Sequence, residues 1–388
     1  MRMDSAETGN DATIAAAIAP DSLAKPATER LKSLDVMRGF TVVSMIVVNA
    51  MAYSSQTYGL DAFGFLSHSP WAGFTFADFV FPAFLFMVGV SISASVRRTN
   101  QIDRGLFARV SARTLRLVVL GIVIANIPWT TPIGDWRWLG VLQRIGLCYF
   151  VVAFLFATTG WRVRALIAVT LLLLYWPLAA MPLPGAGAAN LWMAGANFVS
   201  WTDRTLLGVH IYLRGPHGYD PEGLLSTLPA VAQCLLGTLA GEWLLSHRQS
   251  PPAVGKLAIA GAVVACLGLA WSPLFPIVKN IWTSSFVLLS TGLAVILLAG
   301  LVWLLDQRHK NVWGVRFFEA FGANAILAYA LQSFAQFIPG DEGMQSLSAA
   351  GTRSGYSIAM ALLPVVLFIA ILWLPLELMR RKRWIVKI

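Results

Sequence analysis

Long apolar runs separated by shorter polar segments recur along this 388-residue chain. A helix that crosses the hydrocarbon core of a bilayer needs about 20 mostly apolar residues. Measured against that length, the pattern predicts ten spanning helices, near residues 36–53, 76–96, 113–129, 139–159, 163–180, 226–245, 254–274, 281–305, 315–337 and 356–379. We therefore predict an all-α polytopic membrane protein whose transmembrane domain covers residues 35–388, with a long outer loop at about 181–225.

The composition supports a membrane protein. Hydrophobic residues make up 57% of the chain and charged residues only 12%, whereas a soluble domain is about half apolar and about a quarter charged. Residues 1–34 differ, because they are polar and alanine-rich and lack the basic and apolar regions of a signal peptide. We expect this region to be a disordered cytoplasmic tail.

Positive charges are distributed unevenly between the predicted loops. If both termini are cytoplasmic, 23 of the 29 lysines and arginines lie on the cytoplasmic side. The outer side holds five, namely Arg137, Arg204, Arg214, Lys279 and Arg353. By the positive-inside rule, both termini are predicted to be cytoplasmic. The net charge of +10 then indicates topology, so we expect the lipid bilayer as a partner and no nucleic acid.

Polar residues inside the predicted spans are candidate functional groups, because burying them costs free energy. Asn49 lies near the outer end of the first span, Asp78 lies at the start of the second, and Gln143 and Arg144 lie near the start of the fourth. Asp78 and Arg144 are expected at similar depth. Two interpretations stay open here: a structural ion pair, which is the simpler one, or a polar cavity that holds a substrate or orients a catalytic base.

One of the five histidines stands out. His68 precedes the second span and lies ten residues before Asp78. Imidazole titrates near neutral pH, can accept a proton or an acyl group, and is tuned by a nearby carboxylate. His68 is therefore a candidate catalytic residue.

Five segments follow one another in the order of a known family's motifs. They are residues 30–39 (R-L-x-S-x-D-x-x-R-G), 68–82 (H-x-x-W-x-G-x-x-x-A-D-x-V-F-P), 140–144 (G-V-L-Q-R), 219–225 (containing D-P-E-G) and, more loosely, 321–327 in a late helix. Together they resemble the heparan-alpha-glucosaminide N-acetyltransferase family of transmembrane acyltransferases, which has many bacterial members. The resemblance covers about residues 30–380.

The resemblance implies a ten-helix core that transfers an acetyl group from cytosolic acetyl-coenzyme A to an amine of an amino sugar on the periplasmic side. It implies that His68 is the active-site residue, with Asn49 beside it and Asp78 as the group that orients it. It also implies a homodimer. The short polar tail without a targeting signal leads us to expect the bacterial inner (cytoplasmic) membrane. We expect neither a counterpart of the large luminal N-terminal region of the animal enzymes nor their heparan specificity.

The polyanionic nucleotide of coenzyme A cannot cross the hydrocarbon core, so we expect it on the basic inner side. The candidate phosphate-binding residues are Lys32, Arg38, Arg97, Arg98, Arg113 and Arg116. Arginine suits phosphate because it donates paired hydrogen bonds. The positive-inside rule also explains basic residues there, and for any single one of them it is the favoured explanation. The candidate pocket residues are Gln143, Arg144 and Trp71. The three cysteines show no metal-ligand spacing, so no metal site is predicted.

A second function stays open, that of a membrane transporter of N-acetylglucosamine or a related amino sugar. Asp78 and Arg144 would suit an intramembrane substrate site. The His68 segment favours the enzyme, because transport does not require a histidine at the mouth of a helix. Two enzymatic routes also stay open: His68 as a nucleophile or as a general base, with Asn49 donating a hydrogen bond to the thioester oxygen in either route.

Overall fold

The protein is built from helices in the computed structural model, which describes residues 31–58, 64–96, 98–99, 101–185, 187–247, 250–308, 314–334 and 358–386. The helices are α1 (Lys32–Tyr58), α2 (Phe76–Ser95), α3 (Arg104–Ala125), α4 (Val141–Thr158), α5 (Trp161–Ala179), α6 (Phe198–Leu207), α7 (Thr227–His247), α8 (Pro251–Trp271), α9 (Ser284–Leu301), α10 (Val315–Ala323), α11 (Ala325–Ser333) and α12 (Ile358–Arg381). Helix α9 continues into a π-helical turn at Val302–Gln307. Among the described residues, β-pairing is limited to isolated bridges, which confirms the all-α class.

Seven helices in the described part of the chain are long and apolar enough to cross a membrane: α1, α2, α4, α5, α7, α8 and α9 with its π-helical turn. Helix α3 has 22 residues but carries four arginines, which lower its hydropathy. The protein is thus a multi-pass helical membrane protein. The number ten and the cytoplasmic position of the termini stay predictions, and the predicted tail at residues 1–34 lies almost entirely outside the described residues.

Glycines allow several helices to approach each other closely. A Cβ on Gly39 of α1 would lie 1.8 Å from the carbonyl oxygen of Phe318 in α10, and a Cβ on Gly322 would lie 1.8 Å from a carbonyl oxygen of α1. Gly89 of α2 and Gly237 of α7 make a similar contact. Lipid tails are as apolar as side chains, so helices in a membrane associate partly through such close van der Waals contact between small residues.

The ninth predicted span is interrupted at Asn324, which separates α10 from α11. The Asn324 side chain donates a hydrogen bond to the carbonyl of Trp384 at 3.0 Å and accepts one from the backbone nitrogen of Val386 at 2.9 Å. Asn324 therefore anchors the segment that follows α12. The prediction of one continuous helix over 315–337 is wrong, because this asparagine bonds to a distant backbone segment.

Two loops are joined near the start of α2. The backbone nitrogen of Gly73 donates to the carbonyl of Ile277 at 2.9 Å, and Ala72 forms an antiparallel bridge with Val278. The segment before α2 is thereby fixed to the connection between α8 and α9. The predicted outer loop at 181–225 also contains structure of its own, since it includes helix α6.

Candidate active site

Asp78 is held in place by local sequence at the start of α2. Thr75 occupies the N-cap position. The backbone nitrogen and the hydroxyl of Thr75 donate hydrogen bonds to Oδ2 of Asp78 at 3.2 Å and 3.1 Å, respectively. This pairing is a capping box, in which an acidic or amide side chain three residues into the helix satisfies the N-cap backbone. The backbone nitrogen of Ser69 donates to the same oxygen at 3.2 Å. The carboxylate therefore has a fixed orientation.

The other oxygen of Asp78 contacts His68. Nδ1 of His68 lies 2.9 Å from Oδ1 of Asp78, and the side chains are 39% and 0% exposed, respectively. An ionised carboxylate only accepts hydrogen bonds, so in the neutral imidazole Nδ1 carries the hydrogen and Nε2 carries the lone pair. The structure thus brings together two of the predicted catalytic residues, in the geometry required for a carboxylate that orients a histidine.

Lys279 is a third member of this cluster. Its Nζ lies 3.1 Å from both ring nitrogens of His68 and 3.9 Å from Oδ1 of Asp78. Burial lowers the pKa of Lys279, while the carboxylates of Asp78 and Glu222 act in the opposite direction. From the sequence, Lys279 was counted only among the five basic residues of the outer side. A lysine on the sparsely charged outer side departs from the positive-inside pattern, and this was the sequence feature that could have indicated a role for Lys279 in the site.

Arg144 lies elsewhere, and the expected ion pair with Asp78 is wrong. Arg144 donates to the carbonyl of Gly223 at 3.0 Å and to the hydroxyl of Ser226, and its guanidinium lies 5.0 Å from the centre of the Trp282 ring. It is 1% exposed. Helix α4 presents Arg144 to the segment before α7 and not to the start of α2. Equal depth in the membrane did not establish that the two side chains face each other.

The D-P-E-G segment forms a buried ionic cluster that was not predicted as part of the site. Arg137 donates to Asp220 through Nε at 3.1 Å and Nη2 at 2.6 Å, and to Glu222 at 2.5 Å. Burial acts to lower the pKa of Arg137, but the two carboxylates outweigh it and the pKa is raised. The charge of Glu222 also acts on Lys279, which links this cluster to His68. Two sequence features could have indicated this cluster: the D-P-E-G motif, and Arg137 as one of the few basic residues on the predicted outer side.

The glycine of D-P-E-G permits a close approach by Asp203 of α6. A Cβ on Gly223 would lie 1.9 Å from Oδ2 of Asp203, and Oδ1 of Asp203 accepts a hydrogen bond from the backbone nitrogen of Leu224 at 2.9 Å. Burial raises the pKa of Asp203 to about 7. Asp203 therefore titrates near neutral pH while it holds the segment that leads into α7.

The remaining predicted residues near this end have packing contacts. Trp71 donates to the carbonyl of Leu191 at 3.0 Å and packs edge-on against Tyr219, with ring centroids 5.2 Å apart. Gln143 is 2% exposed and donates to the carbonyl of Trp138 at 3.2 Å. Asn49 is exposed near the middle of α1. The structure describes no hydrogen bond from any of these three side chains to His68.

Basic residues form a second cluster at the other end of these helices, where α1, α3 and α5 begin and α2 and α7 end. Arg38 donates to Asp35 at 3.0 Å. Arg98 lies 3.5 Å from Glu242, which also accepts a hydrogen bond from Arg164. Arg164 was not among the predicted residues, although it is 0% exposed. We call this region the arginine-rich end.

The other predicted coenzyme A residues differ in their surroundings. The guanidinium of Arg113 lies 4.5 Å from the centre of the Tyr149 ring. Lys32 and Arg116 are exposed, and Arg97 lies outside the described residues. The structure thus brings Lys32, Arg38 and Arg98 to the arginine-rich end, where Arg38 and Arg98 already have carboxylate partners. Arg113 and Arg116 lie near the middle of α3.

Comparison with known proteins identifies the family. The family model described as "Heparan-alpha-glucosaminide N-acetyltransferase, catalytic" matches residues 30–270. Heparan-alpha-glucosaminide N-acetyltransferase from Homo sapiens is 29% identical over 358 residues, which are 77% of this chain and 52% of that protein. The protein of the same name from Mus musculus is 29% identical over 369 residues, 79% of this chain and 53% of that protein. The chain spans about half the length of these curated relatives. Because the family model matches most of the chain, including the His68 and D-P-E-G segments, the chain belongs to the heparan-alpha-glucosaminide N-acetyltransferase catalytic family.

Proposed function

We propose that this protein is an integral-membrane N-acetyltransferase of the bacterial inner membrane. It moves an acetyl group from cytosolic acetyl-coenzyme A to an amine of an amino sugar on the periplasmic side. One observation supports this function most strongly, the 2.9 Å contact between His68 and Asp78. A carboxylate that orients an imidazole at the mouth of a helix suits acyl transfer, whereas transport has no need of it.

Two routes use this geometry, and both require the lone pair on Nε2 of His68. In direct transfer, Nε2 takes one proton from the acceptor ammonium and the amine attacks the thioester carbonyl. The C–S bond then breaks, and the thiolate of coenzyme A takes the second proton that the nitrogen loses as the amide forms. In the covalent route, Nε2 attacks the carbonyl carbon, the C–S bond breaks, and the departing thiolate takes a proton from the acceptor ammonium. The free amine then attacks the acyl-imidazole, the bond between the acyl carbon and Nε2 breaks, and the released imidazole takes the second proton from the nitrogen. In either route, Asn49 is proposed to donate a hydrogen bond to the thioester oxygen as negative charge develops there.

We place the nucleotide of coenzyme A at the arginine-rich end. Arg38 contacts the hydroxyl of Ser91, thirteen residues after Asp78 on α2, a separation of about 20 Å along a helix. The nucleotide and the reacting carbonyl therefore lie at opposite ends of α2, and the slender pantetheine arm connects them. The proposed phosphate-binding residues are Lys32, Arg38, Arg98, Arg113 and Arg116, of which Arg38 and Arg98 also contact carboxylates.

A proteoliposome assay tests this function. Labelled acetyl-coenzyme A is supplied on the side of the arginine-rich end and glucosamine on the side of His68. The proposal predicts acetylated glucosamine without net movement of sugar. Net sugar uptake that does not depend on acetyl-coenzyme A would support a transporter instead. Labelled acetyl groups trapped on His68 in the absence of glucosamine would select the covalent route.

Two parts of the proposal have separate tests. A double variant, Arg113→Gln with Arg116→Gln, is expected to weaken coenzyme A binding in equilibrium titration, and unchanged affinity would remove these residues from the site. We also propose a homodimer, which light scattering of the detergent-solubilised protein can detect. A monomeric mass for the active protein would exclude it.

A further inference from the structure

Two opposite charges lie against the His68 imidazole. Oδ1 of Asp78 is 2.9 Å from Nδ1, and Nζ of Lys279 is 3.1 Å from both Nδ1 and Nε2. Since the two lysine distances are equal, the ammonium faces the ring between its nitrogens and does not align with the lone pair of one. The ammonium and the carboxylate are 3.9 Å apart. The ring therefore contacts both members of an ion pair.

An orienting carboxylate by itself creates a problem for a catalytic histidine. A negative charge within about 4–6 Å favours the imidazolium. Imidazolium has no lone pair, so it can neither accept a proton nor attack a thioester. A positive charge at a similar distance has the opposite effect, because it repels the imidazolium.

We propose that Lys279 is a positioning residue whose ammonium offsets the charge of Asp78, so that the carboxylate fixes the tautomer of His68 while the ring stays neutral. This inference rests on the acyl-transfer function proposed above and adds a residue to that site. Lys279 acts through His68 and needs no contact with acetyl-coenzyme A or the acceptor.

The fold holds Lys279 rigidly enough for this role. Lys279 begins a short 3-10 turn, Lys279–Ile281, directly after the Ala72–Val278 bridge that joins this connection to the His68 segment. The Lys279 side chain is 15% exposed, so solvent screens its charge only in part. Lys279 and His68 therefore belong to one joined pair of loops, although 211 residues separate them in sequence.

Two nearby carboxylates favour the ammonium form of Lys279. Among the described residues, the charged groups in contact with the ring are Asp78 from α2 and Lys279 from the connection between α8 and α9. Behind the lysine, Glu222 from the segment before α7 favours its charged form, as Asp78 does, against the effect of burial. Glu222 is in turn held by Arg137. Two carboxylates on separate elements thus favour the offsetting charge.

The ionisation of His68 can be measured without any assay of activity. Diethyl pyrocarbonate modifies neutral imidazole and does not modify imidazolium. The rate at which it modifies His68 in the purified full-length protein, followed by peptide mass spectrometry between about pH 5 and 9, gives the midpoint of the His68 titration. The decrease of the acetyl-transfer rate toward low pH is recorded in parallel.

Lys279→Met is expected to raise this midpoint by about one unit or more. On the acid side His68 should then be modified about tenfold more slowly than in the wild type. Lys279→Gln should shift the midpoint in the same direction, and it provides a second neutral variant if Lys279→Met does not fold. Lys279→Arg should retain the wild-type midpoint. As a control, Arg214→Gln removes an exposed guanidinium that donates to the carbonyl of Asp135 at 2.8 Å, and it should leave the midpoint unchanged.

An unmoved midpoint in the neutral Lys279 variants would overturn the inference, even if their stability falls, because a purely structural lysine affects stability and not the titration of His68. The two proposals fail in different ways. Acetyl transfer by the wild type together with an unmoved midpoint rejects the role of Lys279 alone. If the midpoint shifts in the neutral Lys279 variants but the wild-type protein transfers no acetyl group, the enzyme function is rejected and the charge balance is supported.

Discussion

Nδ1 of His68 lies 2.9 Å from Oδ1 of Asp78. The second oxygen of the same carboxylate accepts hydrogen bonds from Ser69 and Thr75, so the aspartate cannot rotate away without breaking the cap of α2. One side chain therefore starts a transmembrane helix and sets the tautomer of the proposed catalytic histidine.

Asp78→Asn is expected to lower the rate of acetyl transfer by about 10²–10⁴-fold. The amide can present a donor to Nδ1, which would move the hydrogen to Nε2 and remove the lone pair that both routes need. The rate constant at saturating acetyl-coenzyme A, measured beside the melting temperature, separates this effect from loss of the cap. A folded Asp78→Asn protein with the wild-type rate would show that Asp78 has only a structural role.

Gly322→Ala should destabilise the protein by about 1–3 kcal/mol, because the new Cβ would lie 1.8 Å from a carbonyl oxygen of α1. Gly300→Ala is the matched control. A Cβ on Gly300 would have no atom of the described residues within 4 Å, and alanine favours a helix by about 0.5–1 kcal/mol. Thermal unfolding in detergent measures both variants. Equal effects of the two substitutions would contradict the close contact between α1 and α10.

Glu242→Gln should destabilise the protein by about 3–5 kcal/mol, because it leaves the buried guanidinium of Arg164 without a counter-charge. The control is Arg98→Gln. Arg98 contacts the same carboxylate at 3.5 Å but is 46% exposed, and an exposed ion pair contributes less than about 1 kcal/mol. Chemical denaturation in detergent compares the two variants. A smaller loss for Glu242→Gln than for Arg98→Gln would refute this assignment.

Asp203 should make stability depend on pH. Its pKa is raised from 3.8 to about 7 by burial, so between these values the unfolded chain releases a proton that the folded protein retains. Its contribution to stability is therefore complete below about pH 4, is lost as pH rises to about 7, and is constant above that. At about 1.4 kcal/mol per pKa unit, the loss is on the order of 4 kcal/mol. Melting temperatures from pH 4 to 8 should show this decline in the wild type but a weaker one in Asp203→Asn. Parallel curves for the two proteins would disprove that Asp203 causes this pH dependence of stability.

The sequence predicted the helices well because a long apolar segment that crosses a membrane has few alternatives to an α-helix. The predicted spans 76–96 and 139–159 coincide closely with α2 and α4. The failure at Asn324 has a physical cause, since its partners Trp384 and Val386 are about sixty residues away. No local pattern reports such a contact.

The site shows the same division between local and distant contacts. His68 and Asp78 were predictable because they lie ten residues apart in the segment that leads into α2, where Thr75 and Asp78 form the cap. The partner of Arg144 was not predictable, because depth in a membrane does not specify which neighbouring helix a side chain faces. Lys279 was missed for a related reason: it reaches His68 only through the bridge between two loops.

Both proposed routes depend on the imidazole of His68, so the transfer rate of His68→Gln in proteoliposomes is the decisive quantity. The exposed His217 of the outer loop provides the matched control, His217→Gln. We predict that His68→Gln lowers the formation of acetylated glucosamine by about 10²–10⁴-fold, while His217→Gln retains the wild-type rate. A folded His68→Gln protein that transfers acetyl groups at the wild-type rate would exclude His68 from the chemistry and contradict both routes.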